Sequence, residues 1–227
     1  MPGISGGKTY HHGDLRNALI CAAVDLATEG GPERVVLREA ARRVGVSPTA
    51  AYRHFDGRGE LLAAVREHAR RALADSMERA ALRVPGADDP ALAAEARLAA
   101  LCHGYVAFAV DQPGLYRSAF SAPRTASDAT VGHGAAPGPS AGADPDAEDG
   151  CSDVRAFSLL TDALAALAAT ARPPRPPRPA AEAAAWSAVH GLSLLLLEGP
   201  LRRLPAQRRA DVVESTLAMV VSGTRAD

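Results

Sequence analysis

The chain has 227 residues, of which 47% are hydrophobic and only 4% aromatic. With 25 basic and 26 acidic side chains its net charge is −1, so no overall field draws it to nucleic acids or membranes, and a nucleic-acid signal must be local. The length allows a small domain joined to a larger one. Because alanine, leucine and arginine dominate, and unbranched side chains lose little rotamer freedom in helices, we predict an all-α fold.

The cysteines and the apolar segments bear on the compartment. Cys21, Cys102 and Cys151 are odd in number and far apart, which suits a reducing environment better than a disulfide framework, so we expect a cytoplasmic protein. The first fourteen residues lack the charged-then-apolar pattern of a signal peptide. The most apolar run, "LSLLLL" at 192–197, is too short to span a bilayer, and we expect no membrane insertion.

The first predicted helix begins at Asp14, a plausible N-cap, and ends at the "EGG" of residues 29–31. Its apolar residues recur at intervals of three and four, the period of one buried helix face. After the break "DGRGE" at 56–60, the same periodicity predicts a longer helix. Between these two helices lies the most informative stretch of the chain.

Two short helices joined by a tight turn are predicted for about residues 36–55. The second helix of the chain ends at Gly45, where the turn needs a positive φ that glycine adopts at least cost. Ser47 caps the third helix, with Pro48 in its first turn, where a missing N–H costs nothing. This is the layout of a helix-turn-helix, whose second helix lies in the DNA major groove.

The third predicted helix presents large polar side chains on one side. If Ala51 and Phe55 face inward, helical geometry turns four neighbours outward: Thr49, Tyr52, Arg53 and His54. Between residues 34 and 58 there are six arginines against Glu39 and Asp56, a local excess that backbone phosphates would attract. An ordinary solvated face would also explain the charge alone.

Beyond residue 85 a second domain, 85–222, is predicted to be helical too. Residues 121–153 are mostly Ala, Gly, Pro, Ser and Asp, too few apolar groups to offset the ordering entropy, and are predicted to form a mobile loop. The run "RPPRPPRP" is a stiff connector. Apolar periodicity predicts helices at about 90–110, 154–170, 180–198 and 205–222, with a short helix after the turn at 111–116.

The stretch "VVLREAARRVGVSPTAAYRHFDGRGELLAAV", residues 35–65, resembles the DNA-binding domain of the TetR family of transcriptional regulators over about residues 10–70. In that family the residues matching Thr49, Tyr52 and His54 face DNA, and a lysine is common at the position of Arg58. The glycines around Arg58 are expected to loosen its placement. The predicted DNA-binding residues are Arg38, Ser47, Pro48, Thr49, Tyr52, Arg53, His54 and Arg58.

Two C-terminal stretches, residues 104–120 and 185–199, resemble the C-terminal domain of a TetR subgroup with a Trp-His-Gly signature, here Trp186, His190 and Gly191. Trp186 and His190 lie four apart and share a helix face. Either they pack in the core with His190 hydrogen-bonded inside, or they line an effector cavity. On the second interpretation the ligand-binding residues are Leu101, Tyr105, Phe108, Tyr116, Trp186 and His190.

The resemblance implies a regulator, most often a repressor, that binds double-stranded operator DNA as a homodimer and responds to a small, mostly apolar molecule. The dimer interface is predicted on the last two helices, although burial within the monomer is an alternative. These helices carry Leu192, Leu194, Leu195, Leu196, Val212, Val213, Leu217 and Val220.

Two other classes of protein remain alternatives. One is a helical protein-interaction module without sequence-specific DNA binding, and the other is an enzyme on a helical bundle. The adjacent Cys102 and His103 are a poor nucleophile pair, because neighbouring helical side chains do not face each other. His11 and His12 with Asp14 lack a companion ligand cluster. We therefore expect no enzymatic activity, no cofactor and no metal.

Overall fold

A computed structural model describes residues 12–121, 151–171, 176 and 180–224, with side chains from residue 15 in the first range and from 155 in the second. Every regular element in these ranges is helical, as predicted. The α-helices are α1 His12–Gly30, α2 Leu37–Val44, α3 Pro48–Ala51, α4 Arg58–Ala81, α5 Pro90–Asp111, α6 Pro113–Ala119, α7 Cys151–Ala169, α8 Ala181–Leu197 and α9 Ala206–Thr224; short 3-10 turns lie at Pro32–Arg34 and Pro200–Arg203.

The amino-terminal helices pack α1 against α2 and against α4. α1 starts two residues before Asp14, so the predicted N-cap is wrong, whereas its end at Gly30 agrees with the prediction. Apolar periodicity locates the buried face of a helix better than its first turn. Phe55 is buried, and the Arg16 guanidinium lies 4.6 Å from the centre of its ring, while Arg16 also donates to Glu60 over 2.9 Å.

α4 is the longest helix and belongs to both halves of the molecule. It packs on α1 and also on α5, α6 and α7. The crossing with α5 is close at Gly104, whose carbonyl accepts a 2.9 Å hydrogen bond from the Ser76 hydroxyl. At the far end, Arg155 of α7 donates to Asp75 over 2.8 Å and to Glu78 over 2.6 Å.

The carboxy-terminal helices surround α5, which contacts α7, α8 and α9. Their observed bounds follow the predicted periodicity closely, except that α7 begins at Cys151 and takes three residues from the predicted loop. The rest of that loop, residues 122–150, and most of the proline-rich connector lie outside the described residues.

Candidate nucleic-acid interface and effector site

The turn between α2 and α3 has the predicted geometry. Gly45 is left-handed with φ 79° and ψ 28°, a conformation that favours glycine. The Ser47 hydroxyl accepts a 3.2 Å hydrogen bond from the Ala50 N–H, with Pro48 at the start of α3. The capped turn therefore holds α3 at a fixed angle to α2.

α3 ends at Ala51, four residues earlier than predicted, so Tyr52, Arg53 and His54 lie in the turn that follows it. The predicted polar residues of α3 and of this turn are nevertheless mostly exposed to solvent. Ala51 and Phe55 are buried at 0% and 1% exposure, as the prediction required. Tyr52 is 48% exposed, and the remaining predicted residues divide by exposure. Arg38, Ser47, Pro48, Thr49 and Arg53 are exposed, and His54 is half-buried.

Part of the local positive charge is neutralised within the protein. Arg42 donates two hydrogen bonds to Glu39, at 2.8 and 2.7 Å, and Arg43 donates two to Glu29, at 2.8 and 2.6 Å. The hydrogen bonds from Arg42 lower the pKa of Glu39 to about 2. The excess of arginines counted over residues 34–58 therefore overstates the positive charge available to bind a partner. Glu29, which neutralises Arg43, lies outside that range.

Arg58 is anchored to its own backbone neighbourhood. Its guanidinium donates to the Val35 carbonyl over 2.9 Å and to the Pro32 carbonyl over 2.7 Å. These bonds tie the start of α4 to the segment preceding α2. From the flanking glycines we expected Arg58 to be loosely placed. Sequence periodicity does not predict the two hydrogen bonds that hold its side chain.

Four of the predicted ligand residues come together in one aromatic cluster, formed by α5, α6, α7 and α8. The centre of the Tyr105 ring lies 5.9 Å from that of Tyr116 and 5.3 Å from that of Trp186, and both contacts are edge to face. The centre of the His190 ring lies 5.8 Å from the centre of the Tyr116 ring. Two rings that sequence reasoning missed complete the cluster: Phe120, 4.7 Å from His190, and Phe157, 5.8 Å from Trp186.

His190 is the polar centre of this aromatic cluster. Its Nδ1 atom lies 2.8 Å from the Tyr105 hydroxyl and 2.9 Å from the Tyr116 hydroxyl. Burial lowers the pKa of His190 and raises that of Tyr116 to about 12. His190 and Tyr116 are therefore neutral at physiological pH.

The other two predicted ligand residues lie elsewhere. Leu101 is fully buried, and Phe108 lines an open cleft of about 350 Å³ between α4 and the junction of α5 with α6. A second open groove, of about 250 Å³, lies between the start of α8 and the end of α9. The side chains of the aromatic cluster line neither of these pockets and pack on one another instead.

Comparison with known families decides the class of this protein. Residues 19–65 match the model of bacterial regulatory proteins of the tetR family, and residues 98–220, more than half of the chain, match the model of the tetracyclin repressor-like C-terminal domain. The chain belongs to the TetR family. It is thus a DNA-binding transcriptional regulator, and regulators of this family bind operator DNA and small-molecule effectors.

Solved structures resemble this TetR-family regulator over nearly its whole length. A protein of unknown function from Rhodococcus sp. RHA1 is 25% identical, with a TM-score of 0.68, covering 96% of this chain and 99% of its own. A proposed regulatory protein, SCO4313, is 26% identical, with a TM-score of 0.61, covering 93% and 97%. SmeT in complex with triclosan shares the fold at 19% identity and a TM-score of 0.51, covering 94% and 92%. No curated protein matches the chain.

α6 bridges the two halves of the regulator. Gly114 packs directly on the Ala27 and Thr28 carbonyls at the end of α1. At the other end of α6, Arg66 of α4 donates to the Ser121 carbonyl over 3.0 Å, and Arg70 donates to the Ala119 carbonyl over 3.1 Å. Since α6 also carries Tyr116 of the aromatic cluster, one short helix contacts both the DNA-binding domain and the candidate effector site.

The candidate catalytic and metal sites gain no support from the geometry. Burial raises the pKa of Cys102 to about 12, the opposite of an activated nucleophile. Among the described residues no group of three His, Cys, Asp or Glu side chains could hold a metal, and His11 lies outside them. No helix in the described part of the chain is long and apolar enough to cross a membrane.

Proposed function

We propose that this regulator is a homodimeric, cytoplasmic repressor that binds a two-fold operator through α3 and releases it when a small, mostly apolar molecule binds at the aromatic cluster. The observation that carries the DNA-binding part is the exposed face of α3, held by the left-handed Gly45 and the Ser47 cap. The proposal includes neither catalytic activity nor membrane attachment.

The proposed DNA surface combines major-groove and phosphate contacts. Thr49 and His54 approach base edges, while Tyr52 and the exposed Arg38 and Arg53 bind phosphates. The guanidinium groups of Arg38 and Arg53 form no hydrogen bond or ion pair with other described residues, which leaves their charge for DNA. Arg58 uses only two of its five N–H groups on carbonyls, so it both braces the domain and contributes positive charge.

Replacing Tyr52 by alanine is expected to weaken DNA binding by about 1–2 kcal/mol, because a phosphate contact positions the protein without reading sequence. Gel shifts with the DNA upstream of the gene and with a random duplex of equal length measure both affinities. Tyr52→Phe is the matched control, because it removes only the hydroxyl and keeps the aromatic ring. Equal binding by all three proteins contradicts the proposed role of Tyr52, and no preference of the wild type for the upstream DNA favours the protein-interaction module.

Release of the operator is proposed to pass through α6. A molecule that separates Tyr116 from His190 displaces α6, which rests on α1 through Gly114 and on α4 through the Arg66 and Arg70 hydrogen bonds. Such a molecule shifts the population toward a conformation with misspaced recognition helices, by no more than its differential affinity for the two states.

Homodimerisation follows from the two-fold operator, which needs two recognition helices about one duplex turn apart. Part of the predicted interface is unavailable, because Leu192, Leu196 and Leu217 are buried within the monomer. The most exposed large apolar side chains on α8 and α9 are Leu195, 44% exposed, and Met219, 74% exposed, while Leu194, Val212, Val213 and Val220 are half-buried. The proposed interface therefore centres on these two side chains.

Leu195→Asp is expected to shift the protein from dimer to monomer, since it places a charge in a desolvated interface. Sedimentation velocity measures the change. Leu92→Asp is the matched control, because Leu92 is a 55% exposed leucine on α5. Dimers of unchanged stability in the Leu195→Asp variant would show that this face does not form the interface.

The resemblance to the Trp-His-Gly subgroup is also part of the proposal. Its support is that Trp186 and His190 share one face of α8 within the aromatic cluster, with rings nearly parallel at 8°. Gly191 follows directly, and apart from its chain neighbours and its own helix backbone no atom lies within 4 Å of where its Cβ would be. The motif thus combines two cluster rings with an open position on the same helix.

A further inference from the structure

We infer that the aromatic cluster recognises a neutral, flat aromatic carbonyl compound, whose carbonyl oxygen accepts hydrogen bonds from both Tyr105 and Tyr116. The inference rests on the proposed function only for the role of this compound as the effector. Binding of the compound at the aromatic cluster does not depend on its role as an effector.

The first step is the geometry around one imidazole nitrogen. Two phenol hydroxyls lie within 2.9 Å of His190 Nδ1, yet in either neutral tautomer this atom has one lone pair or one hydrogen, not both. It therefore makes one full hydrogen bond, and the other hydroxyl must use another neighbour. Ser193 offers such a partner to Tyr116. A carbonyl oxygen has two lone pairs and accepts from both phenols at once.

The second step excludes charged ligands. The hydroxyls belong to buried side chains, since Tyr105 and Tyr116 are 0% and 1% exposed. Burial lowers the pKa of His190, so the imidazole supplies no positive charge to a carboxylate. Burying an ion without a partner costs far more than a hydrogen bond returns. The ligand is therefore neutral.

The third step concerns access and shape. The rings of Phe120, Phe157 and Trp186 are only half-buried. Phe120 contacts Tyr116, Trp186 contacts Tyr105, and Phe157 contacts Trp186. Each of them has an edge-to-face contact with ring centres 4.7–5.8 Å apart, and Trp186 also stacks on His190. A ligand reaches the hydroxyls by displacing one of these rings, and a flat aromatic skeleton replaces the ring contacts that are lost.

The final step links recognition to output. Tyr105 lies on α5 and Tyr116 on α6, whereas His190 lies on α8. A carbonyl that replaces His190 between the phenols removes the Tyr116–His190 hydrogen bond, one of the contacts between α6 and α8. α6 packs on α1 of the DNA-binding domain through Gly114. The exchange of one hydrogen-bond partner of Tyr116 therefore alters the packing of α6 on this domain.

The test uses three compounds on one tricyclic skeleton: fluorenone, fluorene and fluorenone-2-carboxylate. Their dissociation constants are measured by isothermal titration calorimetry on the full chain and on Tyr105→Phe, Tyr116→Phe and the double variant. Each neutral hydrogen bond is worth about fivefold in affinity. We expect fluorenone to bind at least about tenfold more tightly than fluorene, and the carboxylate to bind most weakly.

The double variant is expected to bind fluorenone and fluorene with similar affinity, while the exposed Tyr52→Phe control keeps the wild-type preference. Circular dichroism verifies that the variants are folded, and each single variant provides the same comparison if the double variant is not. Equal affinity of the wild type for fluorenone and fluorene, a carbonyl preference that survives in the double variant, or no binding of any probe overturns the inference. Fluorenone binding with the expected preference but without operator release supports the recognition and refutes the effector role.

Discussion

Gly114→Ala is expected to lower the free energy of unfolding by about 3 kcal/mol, at the upper end of the cost of overpacking. A Cβ at this position would overlap the Ala27 carbonyl oxygen and lie 2.8 Å from the Thr28 carbonyl oxygen. Backbone atoms at the end of a helix cannot rotate away as a side chain can. Relief therefore requires α6 to move off α1, and thermal unfolding by circular dichroism should show a melting temperature about 6–12 °C lower.

A matched control separates this contact from the general effect of alanine in a helix. Gly59 lies in the first turn of α4 with no atom within 4 Å of its Cβ position. Gly59→Ala is expected to leave stability unchanged or raise it by up to about 1 kcal/mol. If Gly114→Ala melts like Gly59→Ala, α6 does not rest on α1 as described.

The helix-turn-helix could be predicted from sequence because its determinants are local. Gly45, Ser47 and Pro48 each act on their own turn of backbone, and the buried Ala51 and Phe55 are within one helical turn of each other. The same local rules located the helices of the second domain. They failed at the start of α1, which begins at His12 and not at Asp14.

The candidate effector site was only partly predictable, because it depends on contacts between distant segments. The tyrosines, Trp186 and His190 stand out by residue type, but the sequence does not show that Tyr105 and Tyr116 share one imidazole nitrogen. Phe120 lies within residues 104–120, but the sequence does not predict its place in the cluster, because its ring contacts Tyr116 of α6 and Trp186 and His190 of α8.

The long-range ion pairs and arginine–carbonyl hydrogen bonds could not be predicted either, because they join residues that are distant in sequence. Arg58 meets the Pro32 and Val35 carbonyls, and Arg43 meets Glu29, across separations of 14 residues or more. An arginine side chain reaches several possible partners, and only the packed helices select one. Counting charges in a window of sequence therefore overestimated the positive surface near α3.

Gly104→Ala is expected to destabilise both halves of the regulator together, because Gly104 lies where α5 crosses α4. Its Cβ would lie 2.6 Å from the Met77 Cα and 2.7 Å from the Ser76 carbonyl oxygen, against 3.0 Å from the Ala80 side chain. We expect a loss of about 3 kcal/mol or more, measured by urea denaturation. The buried contacts that α4 makes with α1 and α5 shift together, so one cooperative transition should move to lower urea concentration.

The cause of this loss can be tested with a second substitution. Trimming Ala80 to glycine removes only the longest of the three contacts, and the two backbone contacts persist. The Gly104→Ala/Ala80→Gly variant is therefore expected to remain as unstable as Gly104→Ala, or less stable because a helical glycine costs about 1 kcal/mol. Recovery of wild-type stability in the double variant would show that side-chain crowding, and not the approach of the two backbones, requires glycine at this crossing.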